Sequence, residues 1–311
     1  MTAENMRNYL TPPGEIIDVN GRKVHVQRCG KGSPSVVFES GLFDTSFAFA
    51  NVQPLLSTLT STISYDRAGV GYSAPSSNLK RDRTAMASEL YELLETLGLH
   101  EPVVLVGWSA GGIYIREFAH QHPEMVAGMV FIDSAHENNI YHYPKEIASI
   151  IHKGWDELIE LITRMSKLTH EEILKELAEL NYWQDWHPDT HKYLEDTARP
   201  EVLKYFLKLN SYFDEDTNLG NDALRSLGDI PLVVISRLKG NNPNLNEKQV
   251  KLASEIFNIN HSELAGLSTI SRQIKADCGH DIANEKPEIV IEAIRDIVRQ
   301  VRTESDLFSI S

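Results

Sequence analysis

The run Val103-Val104-Leu105-Val106, followed at once by Gly107-Trp108-Ser109-Ala110-Gly111, leaves this chain few folds to adopt. Consecutive apolar, largely β-branched residues with no polar alternation describe a short strand covered on both faces. After the glycines, Gly112-Ile113-Tyr114-Ile115-Arg116-Glu117-Phe118-Ala119 carries apolar residues at helical spacing and stops ahead of Pro123. Strand and helix are thus joined by a Gly-x-Ser-x-Gly turn. The glycines remove side chains that would clash in so tight a turn, and the serine is left exposed at a strand end.

The same alternation runs along the first part of the chain. Glu15 to Val19 and Lys23 to Arg28, joined at Asn20-Gly21, predict a hairpin. Strands follow at Ser35 to Glu39, Thr62 to Asp66 and Val126 to Asp133, and helices at Phe47 to Leu59 and Thr84 to Leu97. Strands that alternate with helices imply right-handed crossovers and a mostly parallel α/β sheet. From Glu137 to Gly228 the pattern becomes helical, for example at Trp155 to Lys167 and His170 to Leu180, with no convincing strand. Strand signals return at Pro231 to Ile235 and Ser271 to Ile274, and an amphipathic helix covers Pro287 to Val301. The expected organisation is an α/β core of residues 1–136 and 229–311. Residues 137–228 are inserted as a helical cap over the C-terminal strand ends, where open α/β sheets bind ligands.

Charge narrows the function. Lys and Arg number 30 against 44 Asp and Glu, a net charge of −14, which argues against nucleic acid or an anionic membrane as the main partner. No apolar run approaches the roughly 20 residues that span a bilayer, and Met1 to Tyr9 has no apolar signal-peptide core. Cys29 and Cys278 form no metal or redox motif, so the expectation is a cytoplasmic, reduced protein without metal or organic cofactor, acting on a small molecule.

Serine is a weak nucleophile until a base takes its proton and an acid orients that base. Ser109 is the candidate nucleophile. His280, in Cys278-Gly279-His280 after the last strand, is the candidate base, and Asp133, ending Phe131-Ile132-Asp133, the candidate acid, with Glu247 and Glu263 as alternatives. The amide of Ala110 at the helix N-terminus and that of Leu42 in Glu39-Ser40-Gly41-Leu42 are candidate oxyanion donors. Trp108, Tyr182, Trp183 and Trp186 are candidate substrate contacts, although aromatic residues in a cap are at least as often packing. The pair Asp66-Arg67 is expected to fix loops rather than perform chemistry.

On these motifs, together with Tyr65-Asp66-Arg67-Ala68-Gly69-Val70-Gly71-Tyr72-Ser73 and Val130-Phe131-Ile132-Asp133-Ser134-Ala135-His136, the chain resembles the α/β-hydrolase superfamily, in its capped, esterase-like group. The likeness covers about residues 14–136 and 229–302. It departs from many relatives in having Ser40-Gly41 where they have His-Gly, and Trp108 where they have histidine. In many members of this fold class the acid follows the strand here ending at Ile235, but Ser236 to Asn242 offers no carboxylate. Some relatives place it one strand earlier, which supports Asp133. The resemblance implies a serine hydrolase acting on a small or medium carboxylic ester, with a lactonase or an amidase or aminopeptidase as the alternative. A small-molecule receptor on the same scaffold is the non-enzymatic rival. An epoxide hydrolase or a dehalogenase would want an aspartate at position 109.

Overall fold

The computed structural model describes residues 13–78, 80–137, 142–180, 195, 197–217, 224–240 and 244–308. Its centre is an eight-stranded sheet: β1 (Glu15–Val19), β2 (Arg22–Cys29), β3 (Val36–Glu39), β4 (Thr62–Tyr65), β5 (Val103–Trp108), β6 (Val126–Ile132), β7 (Leu232–Arg237) and β8 (Ser271–Ala276). The strand order is β1-β2-β4-β3-β5-β6-β7-β8. β1, β2 and β4 pair antiparallel, and every pairing from β4 to β8 is parallel. The hairpin turns at Asn20 and Gly21, both with positive φ (53° and 84°), the backbone that an Asn-Gly pair adopts at low cost.

The helices are α1 (Gln53–Leu56), α2 (Arg83–Thr96), α3 (Ala110–Gln121), α4 (Lys145–Met165), α5 (His170–Leu180), α6 (Pro200–Asp216), α7 (Glu247–Ala265), α8 (Ile282–Glu285) and α9 (Pro287–Phe308). α2 and α3 cover one face of the sheet, where Leu90, Leu94, Ile115 and Phe118 pack on Val37, Leu105 and Phe131. α9 covers the other, where Val290, Ile294 and Val298 meet Val104, Val130 and Val233. β5 is buried at every residue, as its unbroken apolar run predicts.

Three expectations differ from what forms. Phe47 to Leu59 is not one helix but a 3₁₀ turn, Ser46–Phe49, followed by the single turn of α1. Pro54 has no N–H and its ring blocks a preceding helical turn, so it serves at the start of a helix and not within one. β6 stops at Ile132 because Asp133 turns out of the sheet with φ 43°. α7 was not expected, although Asn246 and Gln249 form a reciprocal capping box at its start.

The elbow between β5 and α3 is packed backbone against backbone. A Cβ on Gly111 would lie 2.3 Å from the Glu39 carbonyl oxygen and 2.7 Å from that of Ser40. Neither neighbour is a side-chain end that can swing away. Gly111→Ala is therefore expected to destabilise the fold by about 3 kcal/mol in urea unfolding; a loss below about 0.5 kcal/mol would contradict this packing.

Candidate active site

Ser109 is the N-cap of α3 and sits at φ 52°, ψ −120°, a strained conformation for any residue with a side chain. Its backbone is pinned on both sides: its N–H donates to the Ile132 carbonyl (3.1 Å), and its own carbonyl accepts from Gly112 (3.1 Å) and Ala135 (2.8 Å). Among the described residues its hydroxyl makes no hydrogen bond. The Ala110 amide, first in α3, carries the positive end of the helix dipole next to that hydroxyl.

Asp133 and His280 arrive from two other strand ends. The Asp133 carboxylate lies 2.5 Å from His280 Nδ1, and its own N–H donates to the Ile235 carbonyl on β7 (2.8 Å). The imidazole is held from beneath by Trp108, whose indole N–H donates to the His280 carbonyl (3.1 Å) and whose ring lies 5.4 Å from the imidazole. Trp108 itself is buried among Ile132, Ala276 and Cys278. Trp108 thus contacts the His280 loop and also stands 3.4 Å from a Cβ built on Gly41, in the loop that holds Leu42. The other carboxylates weighed from sequence stand elsewhere: Glu263 lies 3.1 Å from the His136 imidazole, and Glu247 is exposed in the first turn of α7.

Sequence reasoning missed one member of this cluster. Arg237, the last residue of β7, donates from its guanidinium to Asp133 Oδ2 (2.5 Å) and from its backbone N–H to Asp133 Oδ1 (3.0 Å). Burial alone would raise the Asp133 carboxyl. The Arg237 charge and the His280 hydrogen bond outweigh it and hold the group down at about 2. The segment 134–137 is tied to α3 by Arg116, which donates to Ser134 Oγ and the Ala135 carbonyl (both 3.0 Å) and pairs with Glu137 (2.8 Å).

The loop holding Leu42 is built by charge. Arg67 pairs with Glu39 (2.6 Å) and donates to the carbonyls of Ser40 (2.7 Å), Gly41 and Leu42 (3.0 Å). With its carbonyls drawn to one guanidinium, the loop bends over the elbow, and a Cβ on Gly41 would stand 3.5 Å from Ser109 Cβ. Asp66 in turn binds the Ser46 N–H (2.9 Å), the Tyr72 N–H (3.0 Å) and His25 (2.9 Å). Both residues of the Asp66-Arg67 pair fix loops, as their sequence setting suggests.

Above this loop, Phe43 stacks on Trp155 of α4 at 5.7 Å and meets Phe206 of α6 at 5.4 Å, an aromatic wall that sequence reasoning did not single out. Tyr182, Trp183 and Trp186 lie outside the described residues. No group of His, Cys, Asp and Glu among the described residues has the arrangement of a metal site, and no described helix is long and apolar enough to cross a membrane.

Residues 34–151 match the family model for the alpha/beta hydrolase fold. The chain has the alpha/beta hydrolase fold. Among curated proteins it is 26% identical over 330 residues to the "Probable transporter efuK" of Hormonema carpetanum, covering 95% of this chain and 44% of that one. It is 36% identical over 107 residues to an "AB hydrolase superfamily protein" of Gibberella zeae, covering 33% of each. The chain thus spans less than half the length of these relatives. Among solved structures it is similar to the epoxide hydrolase CorEH (TM-score 0.63, 19% identity, 92% of this chain and 98% of that one). It is likewise similar to a thermophilic esterase from Thermogutta terrifontis (TM-score 0.60, 19% identity, 92% and 97%). At such identities the structures speak for the fold.

Proposed function

We propose that this hydrolase cleaves a small or medium carboxylic ester through an acyl-enzyme on Ser109. The observation that carries the reading is the convergence at three strand ends: Ser109 on a strained helix-cap turn, and a His280–Asp133 pair seated on the neighbouring Trp108. Ser109 Oγ attacks the carbonyl carbon while His280 Nε2 takes its proton. The resulting oxyanion receives hydrogen bonds from the amides of Ala110 and Leu42. Collapse breaks the ester C–O bond, and His280 gives its proton to the departing alkoxide, which leaves as the alcohol. Water then attacks the acyl-enzyme, again delivering its proton through His280, and the acid departs as Ser109 regains its hydrogen.

Asp133 keeps the Nδ1–H tautomer of His280 and stabilises the imidazolium formed in each step. Helices α4, α5 and α6 act as the cap within residues 137–228, and the Phe43–Trp155–Phe206 wall is the surface against which an apolar acyl chain would lie. A serine at the elbow favours acyl transfer over epoxide opening, which calls for a carboxylate nucleophile there.

A chain-length panel of esters, lactones and anilides tests the reading. Fastest turnover is expected on short and medium acyl esters. Preference for lactones or anilides would move the leaving group while keeping the serine mechanism, and absence of turnover on all of them would favour a receptor that holds its ligand without reaction.

A further inference from the structure

β7 delivers a cation, not a carboxylate, to the strand ends. The Arg237 guanidinium touches two members of the site at once, at 2.5 Å from Asp133 Oδ2 and 3.0 Å from His280 Nδ1, while its backbone N–H occupies Asp133 Oδ1. In the tautomer the mechanism uses, Nδ1 donates to Asp133 and has no lone pair for Arg237, so the 3.0 Å approach is then a cation beside the ring and not a second hydrogen bond. The guanidinium is fixed from its other face by Phe257 of α7, whose ring centre lies 4.2 Å from the Arg237 Cζ. One bond to the carboxylate and an aromatic floor hold it in place.

We propose that Arg237 is a positioning residue of the Ser109 site, which holds Asp133 aimed at His280 and whose charge opposes the pull of Asp133 on the imidazolium formed during the reaction. The inference rests on the serine-hydrolase reading and adds a control to it. A base must be neutral before it accepts the Ser109 proton. Protonated His280 would stand between the Asp133 anion, which attracts it, and the Arg237 cation, which repels it and neutralises part of that attraction. Removing the guanidinium therefore leaves the Asp133 attraction less opposed, and the acid limb of such a variant is expected at higher pH than that of the wild type. Other ionisable groups face His280 as well: Asp44 from the loop after β3, His261 from α7 and its own neighbour Asp281, with Tyr143 beside the Asp133–Arg237 pair. All of them are chemically unchanged in the position-237 variants, and Arg237→Lys, which keeps the charge, separates its loss from the loss of the hold on Asp133.

The test is the rate at which a fluorophosphonate probe labels Ser109 across pH, in wild type, Arg237→Met, Arg237→Gln and Arg237→Lys. His280 is about half exposed, so solvent screens the effect in part, and the midpoint of the acid limb is expected to move up by about one pH unit in the Met and Gln variants. Arg237→Lys, which keeps the charge, is expected to stay near the wild-type midpoint. Should the Met variant not fold, the Gln variant, which retains a donor for Asp133, gives the same reading. Slower labelling with an unmoved midpoint in the Gln variant would overturn the proposal and reduce Arg237 to a structural brace. Labelling of no variant at any pH, wild type included, would overturn the hydrolase reading and this inference with it.

Discussion

Ser109→Ala is expected to lose ester turnover by about 10⁴-fold or more while keeping its urea midpoint within a few tenths of a molar of wild type. The loss is large because every covalent step passes through this one oxygen. The fold survives because Oγ makes no hydrogen bond among the described residues, and the turn is held by backbone bonds to Ile132, Gly112 and Ala135. Alanine at φ 52° carries the same strain as serine there, since both have a Cβ. Steady-state kinetics on the preferred ester checks the first part and denaturant unfolding the second. A variant retaining a tenth of the wild-type rate would remove Ser109 from the chemistry.

Asp133→Asn is expected to cost about 10⁴-fold in kcat, because an amide can accept the wrong imidazole tautomer and cannot balance an imidazolium. It should also change the response to acid. The wild-type carboxyl is held at about 2 against an ordinary value of 3.8, so between those limits the unfolded chain binds a proton that the native chain does not. Folding stability from this fully buried group is therefore complete above pH 3.8 and is lost as pH falls through about 2. Its size is about 2 kcal/mol, and it should be absent from the unfolding free energy of the Asn variant over the same range. Near-wild-type kcat in Asp133→Asn would shift the acid elsewhere.

Much of the framework was legible because it rests on short-range pattern. The Asn20-Gly21 hairpin, the buried run Val103 to Val106 and the Gly-x-Ser-x-Gly turn each encode backbone conformation in adjacent residues. The break at Pro54 and the helix behind Asn246 also carried local signals, a missing N–H and a capping pair, that apolar periodicity alone overlooks. The supports of the site were harder to read. Arg237 reaches Asp133 from 104 positions away and Arg67 reaches Glu39 from 28, and a lone arginine in sequence does not reveal which carboxylate it will face. The bond from the Trp108 indole N–H to the His280 carbonyl was hidden for the same reason, since it joins residues 172 positions apart.

The central claim is that Ser109 is a nucleophile activated by His280. Its most direct measurement is intact-mass and peptide mapping after reaction with a fluorophosphonate at neutral pH. The account predicts one adduct per chain on the peptide containing Ser109, absent in Ser109→Ala and at least about 100-fold slower to form in His280→Ala. An unlabelled wild type, or an adduct on another residue that persists in Ser109→Ala, would contradict it.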